Sequence, residues 1–383
     1  MRKALALQVT ALCLLSLAWG CTGARTLPHR AKELALSRDG ADRALGGSAA
    51  AGGSGSDSKP PLLKRHHSQP IQFNNGSDLG NLTFDYYQAL DIYYFATAAY
   101  CTASNIDAWD SGRKALIHPD VEAVVAYNTT VPLLWNIEKA PVLFFILYYP
   151  KNDTIVLSFQ GTQGDSMGDW VDDFMFAMGT PPDTWGWPSG EDIDVDLRIE
   201  DGFAYAWDEL RDQAFNLTTT LMDTYPSAKY MVTGHSLGGA LASLAAADLA
   251  LNGIPVDMVY LFGAPRAGNL GWAFFYNELL ALKNVTYRLV NQRDPVPHIP
   301  YTGITFMRGY HHVGIEVWLK EYDFVQCNDV LAFEDCRFSP TCFYNEDERC
   351  SASQSICLTP TCIHMHLGYF NEASDDKLCK AGC

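Results

Sequence analysis

Apolar positions recur along the chain with two alternating periods, and the alternation gives the order of elements. Tyr86, Leu90, Tyr93, Tyr94, Thr97 and Tyr100 share one face at helical spacing, ending near Cys101. Residues 142–149 and 154–159 are strand-like runs joined by 150–153, a hairpin turn. Residues 203–225 read as a helix that Pro226 stops. Tyr230, Met231 and Val232 form an apolar run like a buried parallel strand, after which Leu237, Leu241, Leu244, Ala245 and Leu249 return to helical spacing. A strand over 256–262, a helix over 270–282, a strand over 286–290 and a strand-like stretch over 306–319 follow. This alternation predicts an α/β fold, a mostly parallel central sheet with helices on both faces and reactive groups at the carboxyl ends of its strands. Ser236, Gly263, Asn291 and Asp294 all follow predicted strand ends and so share one edge.

The amino-terminal part lacks this periodicity. Residues 1–24 have a basic start (Arg2, Lys3), an apolar run and then small residues, the pattern of a secretory signal peptide cut after Gly20, Gly23 or Ala24. A membrane anchor is the alternative, but the apolar run is short for a span and no second long run follows, so no integral membrane segment is expected. Residues 25–70 read as a flexible low-complexity linker or pro-segment, with GGSAAAGGSGSDS at 46–58 and a dibasic pair, Lys64-Arg65, where a processing protease could cut. The folded domain is expected over 71–383. Six N-x-S/T sequons, at Asn75, Asn81, Asn128, Asn152, Asn216 and Asn284, fit a glycosylated secreted protein.

Charge and cysteine narrow the setting. The formal charge is −17, and without the ten Lys+Arg and four Asp+Glu of residues 1–65 the remainder carries −23. So acidic a body repels nucleic acid and anionic membranes. Eight of the eleven cysteines (Cys327, Cys336, Cys342, Cys350, Cys357, Cys362, Cys379 and Cys383) crowd residues 327–383. In an oxidising compartment they are expected to form disulfides, with a cysteine-rich insert over about 327–362. Zinc is the rival reading, but no C-x-x-C pair occurs and the spacings are irregular, so no metal site is assigned.

The chemistry-bearing stretch is 229–250, KYMVTGHSLGGALASLAAADLA, in which 234–238 has the form G-x-S-x-G. Ser236 sits where a strand turns sharply into a helix, and a Cβ at Gly234 or Gly238 would crowd that turn. The turn lifts the Ser236 hydroxyl above the sheet and aims the Leu237 N–H at developing negative charge. A nucleophilic serine needs an acid and a base downstream. Asp294, just past a strand and stiffened by Pro295 and Pro297, can serve as the acid that holds an imidazole in one tautomer. Five downstream histidines compete for the base: His298, His311, His312, His364 and His366. His298 is too close to Asp294 in sequence, and position alone does not separate His366 from His364 or His312. Thr162, after the strand 155–159, can offer an N–H and a hydroxyl as a second oxyanion donor.

Six blocks in one order, VLSFQGT (156–162), GHSLGGALA (234–242), FGAPRAGN (262–269), LVNQRDPVPHIP (289–300), GYHHVGIEVW (309–318) and HLGYF (366–370), resemble the class 3 lipase family of fungal-type triacylglycerol lipases and feruloyl esterases. The resemblance covers roughly residues 86–379. It implies an α/β-hydrolase fold with Ser236 as nucleophile, Asp294 as acid, His366 as base, and an oxyanion hole of Thr162 and the Leu237 amide. It also implies that Cys101 pairs with Cys379 or Cys383, and that 163–180 forms a lid presenting Trp170 and Phe174. The chain departs from the pattern at Gln160, where relatives often have Arg, and at Asp201, where they often have His. The expectation is a secreted serine ester hydrolase without a cofactor, extracellular or in a lumenal or vacuolar compartment, that takes acylglycerol or another ester at a lipid–water interface. Feruloyl or other carboxylesterase and phospholipase activities are alternatives on the same scaffold. An inactive binding protein is the reading from a different class.

Overall fold

The computed structural model describes residues 84–110, 115, 117–132, 139–162, 177–189, 193, 195–300, 309–321, 323–327, 350–355, 357 and 359–370. The expected signal peptide, the linker, Lys64-Arg65, the lid residues Trp170 and Phe174, and Cys336, Cys342, Cys379 and Cys383 lie outside these residues. So do the sequons at Asn75 and Asn81.

Helix α1 (Tyr86–Ala98) begins where Asp85 accepts the N–H groups of Tyr87 and Gln88. A short α2 (Ala103–Asp107) follows. Strands β1 (Glu122–Pro132), β2 (Lys139–Tyr149) and β3 (Thr154–Phe159) form an antiparallel meander. Then β4 (Met178–Gly179) and β5 (Ile199–Glu200) lead to α3 (Asp201–Thr224), β6 (Lys229–His235), α4 (Leu237–Leu251) and β7 (Met258–Phe262). Next come β8 (Gly268–Asn269), α5 (Leu270–Phe274), β9 (Thr286–Asn291) and β10 (Tyr310–His311). Last come β11 (Ile315–Leu319), β12 (Phe324–Cys327) and α6 (Pro360–Leu367).

The main sheet has the order β1-β2-β3-β6-β7-β9-β11-β12. Its central pairs β3–β6, β6–β7, β7–β9 and β9–β11 are parallel, as the alternation of elements predicts, and the outer pairs are antiparallel. Period-2 alternation sorts side chains to two cores. Phe144, Ile146, Ile155, Leu157, Val232 and Leu261 pack with α3 and α4, whereas Phe145, Leu147, Val156, Met231, Tyr260 and Phe262 pack with α1 on the other face. α3 buries one stripe (Phe203, Trp207, Leu210, Ala214, Leu221), while α4 is buried almost all round. The two helices are joined by the buried Asp248 carboxylate, which accepts from the Trp207 indole at 2.9 Å and from Arg211 Nε at 2.6 Å. The Trp187 indole N–H reaches the same carboxylate at 3.0 Å.

The structure corrects two sequence expectations. The helix over 270–282 stops early, because α5 gives way to a wider π-helical turn, Phe275–Leu279. That turn buries Tyr276, whose hydroxyl meets Thr286 Oγ1 at 2.8 Å, and Asn277, whose Oδ1 accepts the Gly314 N–H at 2.9 Å. The stretch over 306–319 is not one strand. Gly314, at φ +71°, separates β10 from β11, and β10 joins a second small sheet, β10-β8-β5-β4. β1 has no clear hydrophobic period in the sequence, since most of its side chains are only half-buried or exposed. The disulfide expectation holds for the four cysteines that can be followed, Cys327–Cys350 and Cys357–Cys362, which removes them as zinc ligands. Cys101 is buried, and both partners expected for it lie outside the described residues.

Glu200, 3 % exposed, caps α3 by accepting the Phe203 N–H at 2.7 Å. Burial pushes its carboxyl up from 4.5 to about 8, against the pull of the Phe203 and Gly202 N–H groups. A carboxyl raised on folding contributes stability that is fully present below the unfolded value and lost as pH rises through the folded one. Unfolding stability is therefore expected to fall between pH 4.5 and about 8, by on the order of a few kcal/mol. Urea titrations across that window should show the slope in the native protein and its loss in Glu200→Gln.

Candidate active site

The turn after β6 has the expected crowding. A Cβ on Gly234 would overlap the Gly238 carbonyl, and one on Gly238 would overlap the Phe159 carbonyl. Ser236 caps α4 at φ 59° and ψ −133°, a conformation that costs a non-glycine residue about 1–3 kcal/mol. Two backbone bonds hold it there, Ser236 N–H to Phe262 O and Gly239 N–H to Ser236 O, each 2.9 Å.

β3 pairs in register with β6, Phe159 opposite Gly234, so the residues after β3 run beside the serine. A Cβ on Gly161 would overlap the Tyr100 hydroxyl and lie 3.0 Å from Ser236 Cβ. Thr162, half-buried, is the next residue, and Leu237 is the first residue of α4. Gln160 turns its amide the other way and donates to Ala99 O at 2.8 Å.

Asp294 follows the end of β9, its N–H bonded to Asn291 O at 2.8 Å. Its wholly buried carboxylate meets His366 Nδ1 at 2.8 and 3.0 Å and accepts the Val296 N–H at 2.9 Å and the Tyr369 hydroxyl at 2.6 Å. Burial, and after it the Asp294 charge, push the Tyr369 phenol well above its ordinary value, so it stays a donor at neutral pH. Tyr369 lies in the HLGYF block, and only the fold brings its hydroxyl to Asp294. An ionised carboxylate can only accept, so His366 Nδ1 carries the hydrogen and Nε2 presents a lone pair.

Of the other histidines, His364 is exposed and His312 donates from Nε2 to Pro297 O at 2.6 Å. Among the described histidines, only His366 is hydrogen-bonded to Asp294. Ser236 and His366 are both wholly buried, and Ser236 Oγ and His366 Nε2 each lack a hydrogen-bond partner among the described residues. The His–Asp half of the expected row is formed and the Ser–His bond is not. The two residues still share one small region. His235, next to the serine, has its ring 4.5 Å from that of His366 and its Nε2 2.8 Å from His366 O. Among the described residues no three His, Cys, Asp or Glu side chains converge as metal ligands.

Gly263, at φ +58°, lies against the Asp294–His366 pair. A Cβ there would lie 2.9 Å from Asp294 Oδ2 and from His366 Nδ1. Gly263→Ala is expected to cost about 1–3 kcal/mol of stability and to remove the low-field proton resonance of His366 Nδ1. An unchanged resonance would mean that the acid and base do not meet over this residue.

Residues 156–303 match the family described as Lipase (class 3). The secreted mono- and diacylglycerol lipase 1 of Fusarium solani is 34 % identical over 165 residues, which is 43 % of this chain and 44 % of that protein. The secreted mono- and diacylglycerol lipase A of Penicillium cyclopium is 32 % identical over 168 residues, 44 % of this chain and 48 % of that protein. The chain thus spans about half the length of these curated relatives. The structure of lipase II from Rhizopus niveus superposes with a TM-score of 0.54 at 25 % identity, covering 74 % of this chain and 93 % of that one. The matched residues contain the Ser236 turn and the Asp294 loop, and the sheet carrying them is that of an α/β-hydrolase: over residues 156–303 the chain is similar to the class 3 lipases.

Proposed function

We propose that this protein is a secreted serine ester hydrolase that cleaves acylglycerols. The observation that carries the proposal is the buried Asp294–His366 pair beside a serine held at φ 59° on a strand–helix turn. In this reading His366 Nε2 takes the Ser236 proton as Oγ bonds to the acyl carbon. The negative charge on the carbonyl oxygen is met by the Leu237 N–H and by Thr162. The tetrahedral intermediate collapses, the ester C–O bond breaks, and the alcohol leaves with the proton from His366. Water, deprotonated by the same ring, attacks the acyl-enzyme and releases the carboxylic acid. Asp294 keeps the hydrogen on Nδ1 throughout and stabilises the imidazolium. Each oxyanion donor contributes about 3 kcal/mol of transition-state stabilisation. The residues of this cycle supply every proton transfer without a cofactor.

Secretion accords with the signal-like residues 1–24 and with relatives whose names include the word secreted. No helix among the described residues is long and apolar enough to cross a membrane. The sequons at Asn128, Asn152, Asn216 and Asn284 are exposed. Asn152 and Asn284 precede β3 and β9, at the end of the sheet away from Ser236, where glycans leave the site clear. An extracellular location is proposed over a lumenal or vacuolar one on the same grounds. The acylglycerol substrate is favoured by the mono- and diacylglycerol lipase relatives. Complete burial of Ser236 and His366 favours a substrate met at a lipid–water interface, since the site must open before an acyl chain enters.

Ser236→Ala is expected to fold normally, to lose turnover and to escape covalent labelling by a fluorophosphonate. Full esterase activity in that variant would refute the mechanism. On nitrophenyl esters of increasing chain length the rate is expected to rise towards long chains and to jump when an oil phase is added. A maximum at short soluble or aryl esters would assign the chain to the carboxylesterases or feruloyl esterases instead.

A further inference from the structure

The helix that carries His366 ends without the usual devices. The last four carbonyls of any α-helix lack intrahelical donors. Glycine in a left-handed conformation commonly closes such an end, but Gly368, which follows α6, is extended at φ −140° and ψ 95°. Side chains from two strand ends take over. Asn291, the last residue of β9, donates both amide hydrogens, to Met365 O at 2.9 Å and to Gly368 O at 2.7 Å. His235, the last residue of β6, donates from Nε2 to His366 O at 2.8 Å. Both donors are buried, Asn291 at 5 % exposure and His235 at 0 %.

The tautomer of His235 is fixed on its other side. A carbonyl can only accept, so Nε2 carries the hydrogen and Nδ1 accepts, here from the Tyr100 hydroxyl at 2.8 Å. Burial, and after it the neighbouring His366, hold the ring well below its ordinary value, so it stays neutral. The same Tyr100 hydroxyl abuts Gly161, one residue before Thr162. Asn291 is tied as tightly to the acid, since its carbonyl accepts the Asp294 N–H. Each donor therefore holds the base from a residue that also fixes another part of the site: Ser236 follows His235, and Asp294 hangs from Asn291.

We propose that Asn291 and His235 are positioning residues that set the His366 imidazole between acid and nucleophile by gripping the backbone on either side of it. This rests on the ester hydrolase reading. Asn291 acts through the carbonyls of 365 and 368, and His235 through the carbonyl of 366 and through its ring, which packs 4.5 Å from the imidazole it positions. Without them the end of α6 is free to shift against β6 and β9, and a displacement of about 1 Å at a catalytic group costs about 100-fold in rate.

The test compares Asn291→Leu and His235→Phe, which keep bulk and lose the donor, with His235→Gln, which keeps an N–H donor. Fluorophosphonate titration to its end-point counts competent sites, so that kcat is expressed per site on a nitrophenyl ester; the rate of labelling is measured separately. Both donor-less variants are expected to lose about 100-fold in kcat per site and in labelling rate with KM unchanged, and His235→Gln is expected to recover most of the loss. A purely structural role would lower the number of competent sites and the melting temperature while each remaining site turned over at the wild-type rate, and that result would overturn the proposal. Should the bulky variants fail to fold, Asn291→Asp decides, because an isosteric carboxylate repels both carbonyls: wild-type turnover per site there would equally overturn it. If wild-type protein is not labelled at Ser236, the ester hydrolase reading fails first.

Discussion

One buried carboxylate holds the site together. Asp294 is wholly buried, and an unpaired charge there would cost several kcal/mol. It is satisfied by the His366 ring, the Val296 N–H and the Tyr369 hydroxyl. Those donors come from its own loop, from α6 at a separation of 72 residues and from the segment after α6 at a separation of 75. The demand of that charge for donors therefore drives two distant segments together. The contact that satisfies it also fixes the His366 tautomer that the proposed proton transfer requires, so in that reading stability and catalytic readiness have the same origin.

The sheet makes this meeting possible. Parallel strands β3, β6, β7 and β9 all end on one rim, and a residue from each end enters the site: Gly161 beyond β3, His235 and Ser236 at β6, Gly263 after β7, Asn291 and Asp294 at and after β9. Close approach of these loops excludes side chains where they cross. Gly161, Gly234, Gly238 and Gly263 stand at such crossings, each with another loop or side chain where a Cβ would be. The rim is a set of backbones packed more tightly than alanine allows, which is why a serine can be held in a conformation it would otherwise avoid.

How much of this the sequence discloses depends on how local each signal is. The strands β3, β6 and β9 and helices α3 and α4 are legible because burial on one or both faces imposes a period over many residues. The serine turn is legible because its constraint spans five residues. Asp294 is marked by its place after a strand and by the prolines beside it. His366 is not marked in this way. His364 lies two residues away in the same helix, and only burial separates them, one wholly enclosed and one exposed. That difference is made by Asn291 and His235 across 74 and 131 residues of chain, so the histidine could be chosen only through the resemblance of the HLGYF block. Tyr369, inside that same block, carried no local sign of its contact with the acid. The break between α5 and the π turn escaped for a similar reason: the hydroxyl and amide that draw Tyr276 and Asn277 inward find their partners on β9 and at Gly314.

The cysteine-rich insert poses a problem that the fold resolves at its two ends. It lies between β12 and α6, so a long stretch of chain precedes the helix that must present His366. At one end Cys327, in β12, is bonded to Cys350. The next residue, Ser351, donates its N–H to Glu316 Oε1, while Glu316 Oε2 is ion-paired at 3.1 Å with Arg288, its register partner on β9. At the other end Cys357–Cys362 clips the first turn of α6, and Asn291 and His235 hold its last. The first anchor reaches β9, which leads to Asp294, and the second reaches β9 and also β6, which leads to Ser236. The position of His366 is thus set by the sheet to which α6 is fastened.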